Sequence, residues 1–234
     1  MPLTPYQYAG SELEIFEKAH NWKAYLRRAM QPYLHGSVLE VGAGLGANTR
    51  QFASLDFDRW TCLEPDAALL EQIEIGKPPL DRHELVLGDL GALDPARCFD
   101  AILYIDVLEH IEDDASELRR AASHLSQGGA LIVLSPAHPW LFTPFDQAIG
   151  HYRRYTRRSL KAAGPEHLRL EKLIYLDSVG MLASVANRLL LNQSMPTAAQ
   201  IQTWDGLLVP CSRRLDPMFF GRVGKSVLGI WRNV

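Results

Sequence analysis

The sequence predicts an α/β fold, a doubly wound parallel sheet with helices on both faces. Three observations lead to this prediction. Short apolar runs alternate with segments of helical period along the 234 residues, which is the order of βαβ units. The apolar runs are continuous, as in strands that are buried on both faces. Acidic residues and glycines follow several of these runs, and parallel sheets bind ligands beyond the carboxyl ends of their strands.

The first segment is helical, and the pattern changes after Gly36. Apolar residues recur at helical spacing over 11–35, where Pro32 is expected to break or end a helix. The run Val38-Leu39-Glu40-Val41 is short and apolar and is followed by Gly42, which predicts a buried strand.

Capping residues and glycines mark the ends of the later elements. Suitable N-caps are Asp66, Thr156 and either Asp113 or Asp114. Gly128-Gly129 is a stop signal for the helix that Asp113 or Asp114 begins. The apolar pattern defines the remaining segments. We predict helices at 49–55, 66–75, 114–127, 156–163, 181–191 and 198–215, and strands at 60–63, 84–87, 99–105, 130–134, 168–176 and 225–231.

Composition narrows the class of protein. Lys and Arg number 24 against 27 Asp and Glu, so the formal net charge is −3, and 47% of the residues are hydrophobic. These values exclude a disordered or fibrous chain, and no nucleic acid is expected as a partner because its backbone needs a strongly positive surface. The three cysteines form no Cys-x-x-Cys pair, so we expect reduced thiols in a cytoplasmic protein and no metal site.

We expect one domain without a membrane span. The beginning of the chain shows no basic patch followed by an apolar stretch, and the most apolar runs are much shorter than the roughly 20 residues that cross a bilayer. The predicted elements occupy nearly the whole length. Within the domain we expect a helical cap, a cofactor-binding core, a substrate loop with helices and a final strand, at 1–35, 36–136, 137–224 and 225–234.

The glycine-rich segment Gly42-Ala43-Gly44-Leu45-Gly46 joins the first strand of the sheet to a helix. Glycine permits a left-handed backbone and close approach of a ligand, and free N–H groups at a helix start favour an anionic or electron-rich group. Gly42, Gly44 and Ala47 also fit the dinucleotide fingerprint G-x-G-x-x-G/A. The turn by itself is therefore compatible with both NAD and S-adenosylmethionine.

Three carboxylates follow or lie within the predicted strands. Glu64 can accept hydrogen bonds from both hydroxyls of a ribose, which NAD and S-adenosylmethionine share. Glu40 favours S-adenosylmethionine, because a buried carboxylate needs a partner and this ligand has an ammonium group that NAD lacks. Asp89, after the third strand of the sheet, is placed either to accept from an adenine amino group or to form a Gly-Asp turn.

Four motifs in this order resemble those of the class I S-adenosylmethionine-dependent methyltransferases. They are Val38-Leu39-Glu40-Val41-Gly42-Ala43-Gly44-Leu45-Gly46, Leu63-Glu64-Pro65, Gly88-Asp89-Leu90 and Tyr104-Ile105-Asp106-Val107-Leu108-Glu109-His110-Ile111. The resemblance implies a seven-stranded, mostly parallel sheet whose last strand is antiparallel, and S-adenosylmethionine as the cofactor. It implies that the glycines bind the methionine moiety of the cofactor, that Glu64 binds the ribose and that Asp89 binds the adenine. It also implies that the Asp106 segment closes the cofactor cleft. The expected cofactor residues are Glu40, Gly42, Ala43, Gly44, Gly46, Glu64, Pro65, Asp89, Leu90 and Asp106.

The long loop after the fifth strand is expected to hold the acceptor. An oxygen or nitrogen acceptor must lose a proton, and His151 with Asp146 is the preferred pair to take it, although His151 could equally serve only to hold the loop. The arginines nearby suit a phosphate or carboxylate on the acceptor, or else form a solvated helix face. The expected acceptor-binding residues are His138, Tyr152, Arg153, Arg154 and Tyr155.

The nature of the acceptor stays open in the sequence. Residues 136–155 resemble an uncharacterised bacterial branch of the family that often accompanies cell-envelope functions, so the acceptor is expected to be a small molecule or a lipid- or glycan-linked intermediate. The apolar helix at 181–191 is interpreted as core; if exposed, it would give at most peripheral membrane contact. An NAD-dependent oxidoreductase and a catalytically inactive cofactor-binding protein are the alternatives, and the oligomeric state is not indicated.

Overall fold

The structure is a computed structural model, which describes residue 8 and residues 13–73, 82–186 and 196–234. Its strands form one sheet in the order β3-β2-β1-β4-β5-β7-β6. All neighbouring pairs are parallel except those of β7, which runs antiparallel to β5 and β6. This confirms the expected seven-stranded, mostly parallel sheet. The strands are β1 Ser37–Val41, β2 Arg59–Glu64, β3 His83–Leu87, β4 Phe99–Ile105, β5 Leu125–Pro136, β6 Arg169–Leu176 and β7 Ser226–Arg232.

The central strands carry apolar side chains on both faces because helices cover both faces of the sheet. In β1, Val38 belongs to one core and Leu39 to the other, and Leu103 and Ile102 of β4 divide in the same way. The helices are α1 Leu13–Glu17, α2 His20–Met30, α3 Ala47–Phe52, α4 Ala67–Glu71, α5 Asp114–Ser123, α6 Pro144–Ala148, α7 Arg157–Ala163, α8 Ser178–Ala186, α9 Ala198–Thr203 and α10 Val209–Leu215. A π-helical turn, Trp204–Leu208, joins α9 to α10.

The predicted N-caps are confirmed. The Asp66 carboxylate accepts from the N–H groups of Ala68 and Leu69, and Thr156 caps α7 in the same way. Asp113, not Asp114, caps α5.

The structure corrects the predicted elements in five places. The helix predicted over 114–127 ends at Ser123, because residues 125–129 join β5 and the glycine pair hydrogen-bonds to Asn233 instead of ending a helix. The segment 11–35 contains two helices and ends in a 3₁₀ turn at Gln31–Tyr33. The loop after β5 contains α6, which was not predicted. The helix predicted over 181–191 begins at Ser178, and its residues 187–191 lie outside the described ranges. The helix predicted over 66–75 ends at Glu71, and its residues 74 and 75 lie outside the described ranges.

Candidate active site

A cavity of about 830 Å³ opens at the carboxyl ends of β1 and β4. The glycine turn and Asp106 form its floor, and helices α1, α2, α8 and α9 form much of its wall. The loop after β5 closes the remaining side with Asp146, His151 and Arg154. One cavity therefore joins the expected cofactor turn to the expected acceptor loop.

The three glycines of the turn all have left-handed backbones, with φ of +67° at Gly42, +55° at Gly44 and +71° at Gly46. A Cβ on Gly42 would lie 2.6 Å from Val107, and one on Gly46 2.8 Å from Ile73, so these two glycines permit close packing. A Cβ on Gly44 would meet only Leu13, at 3.7 Å. Gly44 is thus the glycine whose open side faces the cavity, where a ligand can approach the backbone.

Glu64 holds the glycine turn against β2. Its Oε2 accepts from the N–H of Gly44 at 2.8 Å, and its Oε1 accepts from the N–H of Asp66 at 3.0 Å. Burial raises the pKa of Glu64, although both hydrogen bonds favour the charged form. Each carboxylate oxygen has a second lone pair, so this arrangement fits the two hydroxyls of a ribose.

Glu40 lies beneath the turn and does not line the cavity. Its Oε2 accepts from the Thr49 hydroxyl at 2.6 Å and from Trp60 Nε1 at 2.9 Å. Its Oε1 is buried without a partner among the described residues. Burial raises the pKa of Glu40 to about 7, against the effect of those two hydrogen bonds. A buried carboxyl group with one unsatisfied oxygen suits a position beneath a bound cationic group. The ammonium of S-adenosylmethionine is such a group.

The corner after β3 carries Asp89 and Leu90, which differ in their exposure. Asp89 is exposed, and its Oδ1 accepts from the N–H of Gly91 at 2.7 Å, so it caps the short turn that follows. Leu90 is buried, and its side chain packs in the core. Its cofactor role stays a prediction. Pro65, after β2, is half-buried. A cofactor role for Asp89 and Pro65 stays a prediction.

His151, Asp146 and Arg154 form one hydrogen-bonded unit at the cavity wall. His151 Nδ1 lies 2.9 Å from Asp146 Oδ1, and Arg154 donates to both carboxylate oxygens, Nε at 2.8 Å and Nη2 at 2.9 Å. Asp146 is fully buried. Burial opposes its ionisation, but the hydrogen bonds from His151 and Arg154 hold its pKa well below the usual range. An ionised Asp146 therefore orients the His151 ring, with Nδ1 donating and Nε2 left as the acceptor.

Burial shifts the pKa of two neighbours of His151 in the direction that favours their neutral forms. Burial, together with His151, lowers the pKa of His110 to about 4, and the two rings lie 4.5 Å apart, edge to face. Burial, reinforced by Asp106, raises the pKa of Glu109 well above its ordinary value; its Oε1 lies 3.8 Å from His151 Nε2. The potential ligand atoms of Glu109, His110 and His151 lie within 4.8 Å of one another, the one such group among the described residues.

Four of the five residues expected to bind the acceptor do not line the cavity. His138 has a left-handed backbone that turns its ring onto Tyr175, and its Nε2 lies 2.9 Å from the Gly224 carbonyl oxygen. Tyr152 points to solvent and is 55% exposed. Tyr155 is buried, and its hydroxyl donates to Asp114 Oδ2 at 2.6 Å.

Arg153 is the fourth of these residues and pairs with the same Asp114, at 2.8 Å. Only Arg154 of the expected set faces the cavity. Arg153 and Arg154 both have carboxylate partners, so the structure does not support the predicted arginine site for an anionic acceptor.

Sequence reasoning missed two lysines and a tryptophan that line the cavity, Lys23, Lys225 and Trp204. Lys225 Nζ lies 3.7 Å from the centre of the Trp204 ring and 3.6 Å from Asp177 Oδ2. Lys23 donates from Nζ to the carbonyl oxygens of Phe16 and Glu17. Burial lowers the pKa of Lys23 to about 8. No local motif marks these residues; helix α2, the π turn and the start of β7 bring them together.

Residues 39–131 match the family model of a methyltransferase domain. The demethylmenaquinone methyltransferase of Tropheryma whipplei is 31% identical over 178 residues, which are 74% of this chain and 66% of that protein. This chain belongs to the class I S-adenosylmethionine-dependent methyltransferases. The chain spans about two thirds of the length of the curated relatives it matches.

Solved structures of this family share the fold. A SAM-dependent methyltransferase from Archaeoglobus fulgidus has a TM-score of 0.59 at 15% identity, covering 94% of this chain and 97% of that one. The N-methyltransferase NodS from Bradyrhizobium japonicum, in complex with S-adenosylhomocysteine, has a TM-score of 0.56 at 15% identity, covering 94% and 87%. The cofactor of the family is S-adenosylmethionine, which decides between the two ligands that the glycine turn alone allowed. No helix in the described ranges is long and apolar enough to cross a membrane.

Proposed function

We propose that this protein transfers a methyl group from S-adenosylmethionine to an oxygen or nitrogen of an acceptor bound in the 830 Å³ cavity. The observation that supports this most is the shared space: Gly44 at the floor and His151 at the wall line the same cavity. When bound, the cofactor supplies an electrophilic methyl group on its sulfonium. The protein has to align the acceptor with that methyl group, exclude water and take up a proton.

Gly44, Glu64 and Glu40 are the residues proposed to hold the cofactor at the turn. Gly44 leaves room above the backbone, and Glu64 has lone pairs for ribose hydroxyls. Glu40 contributes negative charge beneath the turn when a cationic group lies above it, because such a group favours the ionised form of a buried acid. Asp106 borders the same floor with a left-handed backbone, φ 54°.

His151 is the proposed general base. Its Nδ1 donates to Asp146, and Arg154 fixes that carboxylate from the other side, so the imidazole presents the lone pair of Nε2. The acceptor proton would move to this Nε2 as the acceptor atom bonds to the methyl carbon and the bond between that carbon and the cofactor sulfur breaks. The ionised Asp146 then stabilises the imidazolium, as an oriented carboxylate does in other His–Asp pairs.

The lining of the cavity favours an acceptor with an apolar body and one polar reacting group. Leu26, Leu141, Ile149 and Trp204 supply apolar surface, and the two arginines of the loop are engaged by carboxylates. An apolar small molecule or the apolar part of a lipid-linked intermediate fits this lining. The name of the Tropheryma whipplei relative, a demethylmenaquinone methyltransferase, agrees with an apolar acceptor.

Titration calorimetry with S-adenosylhomocysteine tests the cofactor site. We expect the wild type to bind it, and Gly44→Ala to weaken binding at least tenfold, because the new methyl group occupies the ligand space. Gly128→Ala is the matched control, since Gly128 also has a left-handed backbone, φ +80°, and a Cβ there meets nothing within 4 Å. Binding of NAD without binding of S-adenosylhomocysteine would contradict the proposal, as would equal losses in the two variants.

A transfer assay separates an enzyme from an inactive binding protein. Labelled S-adenosylmethionine is incubated with the protein and with lipid and small-molecule extracts of bacterial cells, and the labelled products are separated by chromatography. We expect label in an organic-soluble product. Tight binding of S-adenosylhomocysteine with no transfer into any extract would favour the inactive alternative.

A further inference from the structure

The surface beside the cavity exposes an unusual set of apolar side chains. Of the eleven large apolar side chains that are exposed in the described ranges, six lie between residues 182 and 220. They include Leu182 on α8 and Leu207 on the π turn, 69% and 60% exposed. Three more are consecutive, Met218-Phe219-Phe220, which we call the apolar tip; Met218 is 70% and Phe220 79% exposed.

The tip is held in place by buried contacts. Asp216 begins the 3₁₀ turn that carries it and accepts hydrogen bonds from the Tyr25 hydroxyl and the Ser178 hydroxyl. After the tip, the Gly221 carbonyl accepts from the N–H of Tyr175 at 2.8 Å. Phe220 has a left-handed backbone, φ 50°, which is uncommon for a bulky residue. The fold therefore accepts backbone strain in order to present an aromatic ring to solvent.

The exposed charged side chains of residues 196–224 are of one sign. Arg213, Arg214 and Arg222 are exposed. The two acids of the same stretch, Asp205 and Asp216, are buried and accept hydrogen bonds from helix α2. Between residues 196 and 224 the surface thus carries three arginines and no exposed carboxylate, on a chain whose net charge is −3.

These elements also border the cavity. Leu208, next to exposed Leu207, lines it, and so do Ala183 and Ser184, next to exposed Leu182. Helix α10 packs against α8 and against the turn of the tip. Two of the elements that carry exposed apolar side chains, α8 and the π turn, therefore also form part of the cavity wall.

We propose that this surface docks on an anionic lipid bilayer, with the apolar tip inserted among the headgroups and Arg213, Arg214 and Arg222 on the lipid phosphates. Apolar side chains flanked by basic ones bind membrane surfaces in this way. A second copy of this chain fits less well, because a symmetric contact would bring the arginines of one copy against those of the other. Docking places a wall of the cavity beside the bilayer. Membrane binding of this surface does not depend on methyl transfer.

Vesicle sedimentation tests the docking surface. We expect the full chain to sediment with vesicles of phosphatidylcholine and phosphatidylglycerol, with an affinity at least tenfold higher than for phosphatidylcholine alone, and to lose that preference in 0.5 M salt. The double variant Met218→Ser/Phe220→Gly should bind at least tenfold more weakly. Glycine suits the left-handed backbone at 220, so this variant is expected to fold. Arg213→Gln/Arg214→Gln should lose the preference for anionic vesicles.

Leu85→Ser/Leu87→Ser is the matched control, because these exposed residues lie on β3, at the opposite edge of the sheet. It should bind like the wild type. Wild type that stays in the supernatant with anionic vesicles would overturn the proposal, and so would equal loss of binding in the control. Gel filtration gives a further outcome: a dimer that dissociates in the tip variant would assign the surface to a second copy of the chain and overturn membrane docking.

Discussion

Replacing Glu40 with glutamine tests whether a buried acid beneath the glycine turn controls the stability of the fold. Glu40 is buried, and its Oε2 accepts from Thr49 and Trp60. Glutamine keeps an acceptor oxygen for these two donors and removes the ionisable group. The variant therefore separates the charge at this position from its hydrogen bonds.

The expected effect follows from the pKa of Glu40, which burial raises from 4.5 to about 7. The folded protein holds this proton more tightly than the unfolded chain, so stability is fully present below pH 4.5 and is lost as the pH rises towards 7. At about 1.36 kcal/mol for each pH unit, the loss approaches roughly 3 kcal/mol above pH 7. Glu40→Gln undergoes no such loss, because its side chain is neutral throughout.

Urea unfolding at several pH values between 4.5 and 8 measures the difference. The free energy of unfolding of Glu40→Gln, relative to wild type, should rise by about 3 kcal/mol across this range. The amide group that replaces Oε1 is expected to change the free energy of unfolding by the same amount at every pH. The prediction therefore concerns only how the difference between the two proteins changes with pH. Glu71→Gln, on the exposed side of α4, controls for the loss of one negative charge. A difference that is the same at every pH would refute the reasoning.

Three further changes have expected outcomes. Asp146→Asn leaves the partly buried Arg154 without its carboxylate and should lower the free energy of unfolding by about 3–5 kcal/mol. Asp56→Asn, at an exposed position, should change it little, and equal effects of the two variants in chemical denaturation would contradict a stabilising ion pair. Asp216→Ala leaves the donors of Tyr25 and helix α8 unpaired and should cost about 2–4 kcal/mol, and an unchanged unfolding midpoint would contradict this. Treatment with EDTA should leave methyl transfer unchanged, since the proposed proton acceptor is an uncoordinated His151; lost activity that zinc or manganese restores would instead assign Glu109, His110 and His151 to a metal.

Local signals in the sequence were sufficient for most of the fold. The apolar run of β4 and the caps at Asp66 and Thr156 depend on neighbours within a few residues, and each prediction agrees with the structure. Gly128-Gly129 was misread because its partner is Asn233, more than a hundred residues later in the chain. A stop signal for a helix and a pair of glycines in a strand look alike until that partner is known.

The candidate site also has one part that local sequence patterns predict and another part that they do not. The glycine turn is a contiguous motif, and the structure places it at the cavity floor as expected. Which of residues 151–155 face the cavity depends on the bridge between Ala137 and Tyr155, which a linear pattern does not show. Lys225 and Trp204 meet only because β7 returns antiparallel beside β5. Chemistry that depends on such long-range contacts had no signal in the sequence.

The rate of labelled methyl transfer by His151→Gln tests the central claim most directly. With saturating S-adenosylmethionine and the extract fraction that accepts label, we expect a rate roughly 10²–10⁴-fold below wild type, the range for loss of a general base. His167→Gln, an exposed histidine outside the cavity, should keep the wild-type rate, and both variants should bind S-adenosylhomocysteine like wild type. A His151→Gln protein that binds S-adenosylhomocysteine and transfers methyl groups at the wild-type rate would contradict the account.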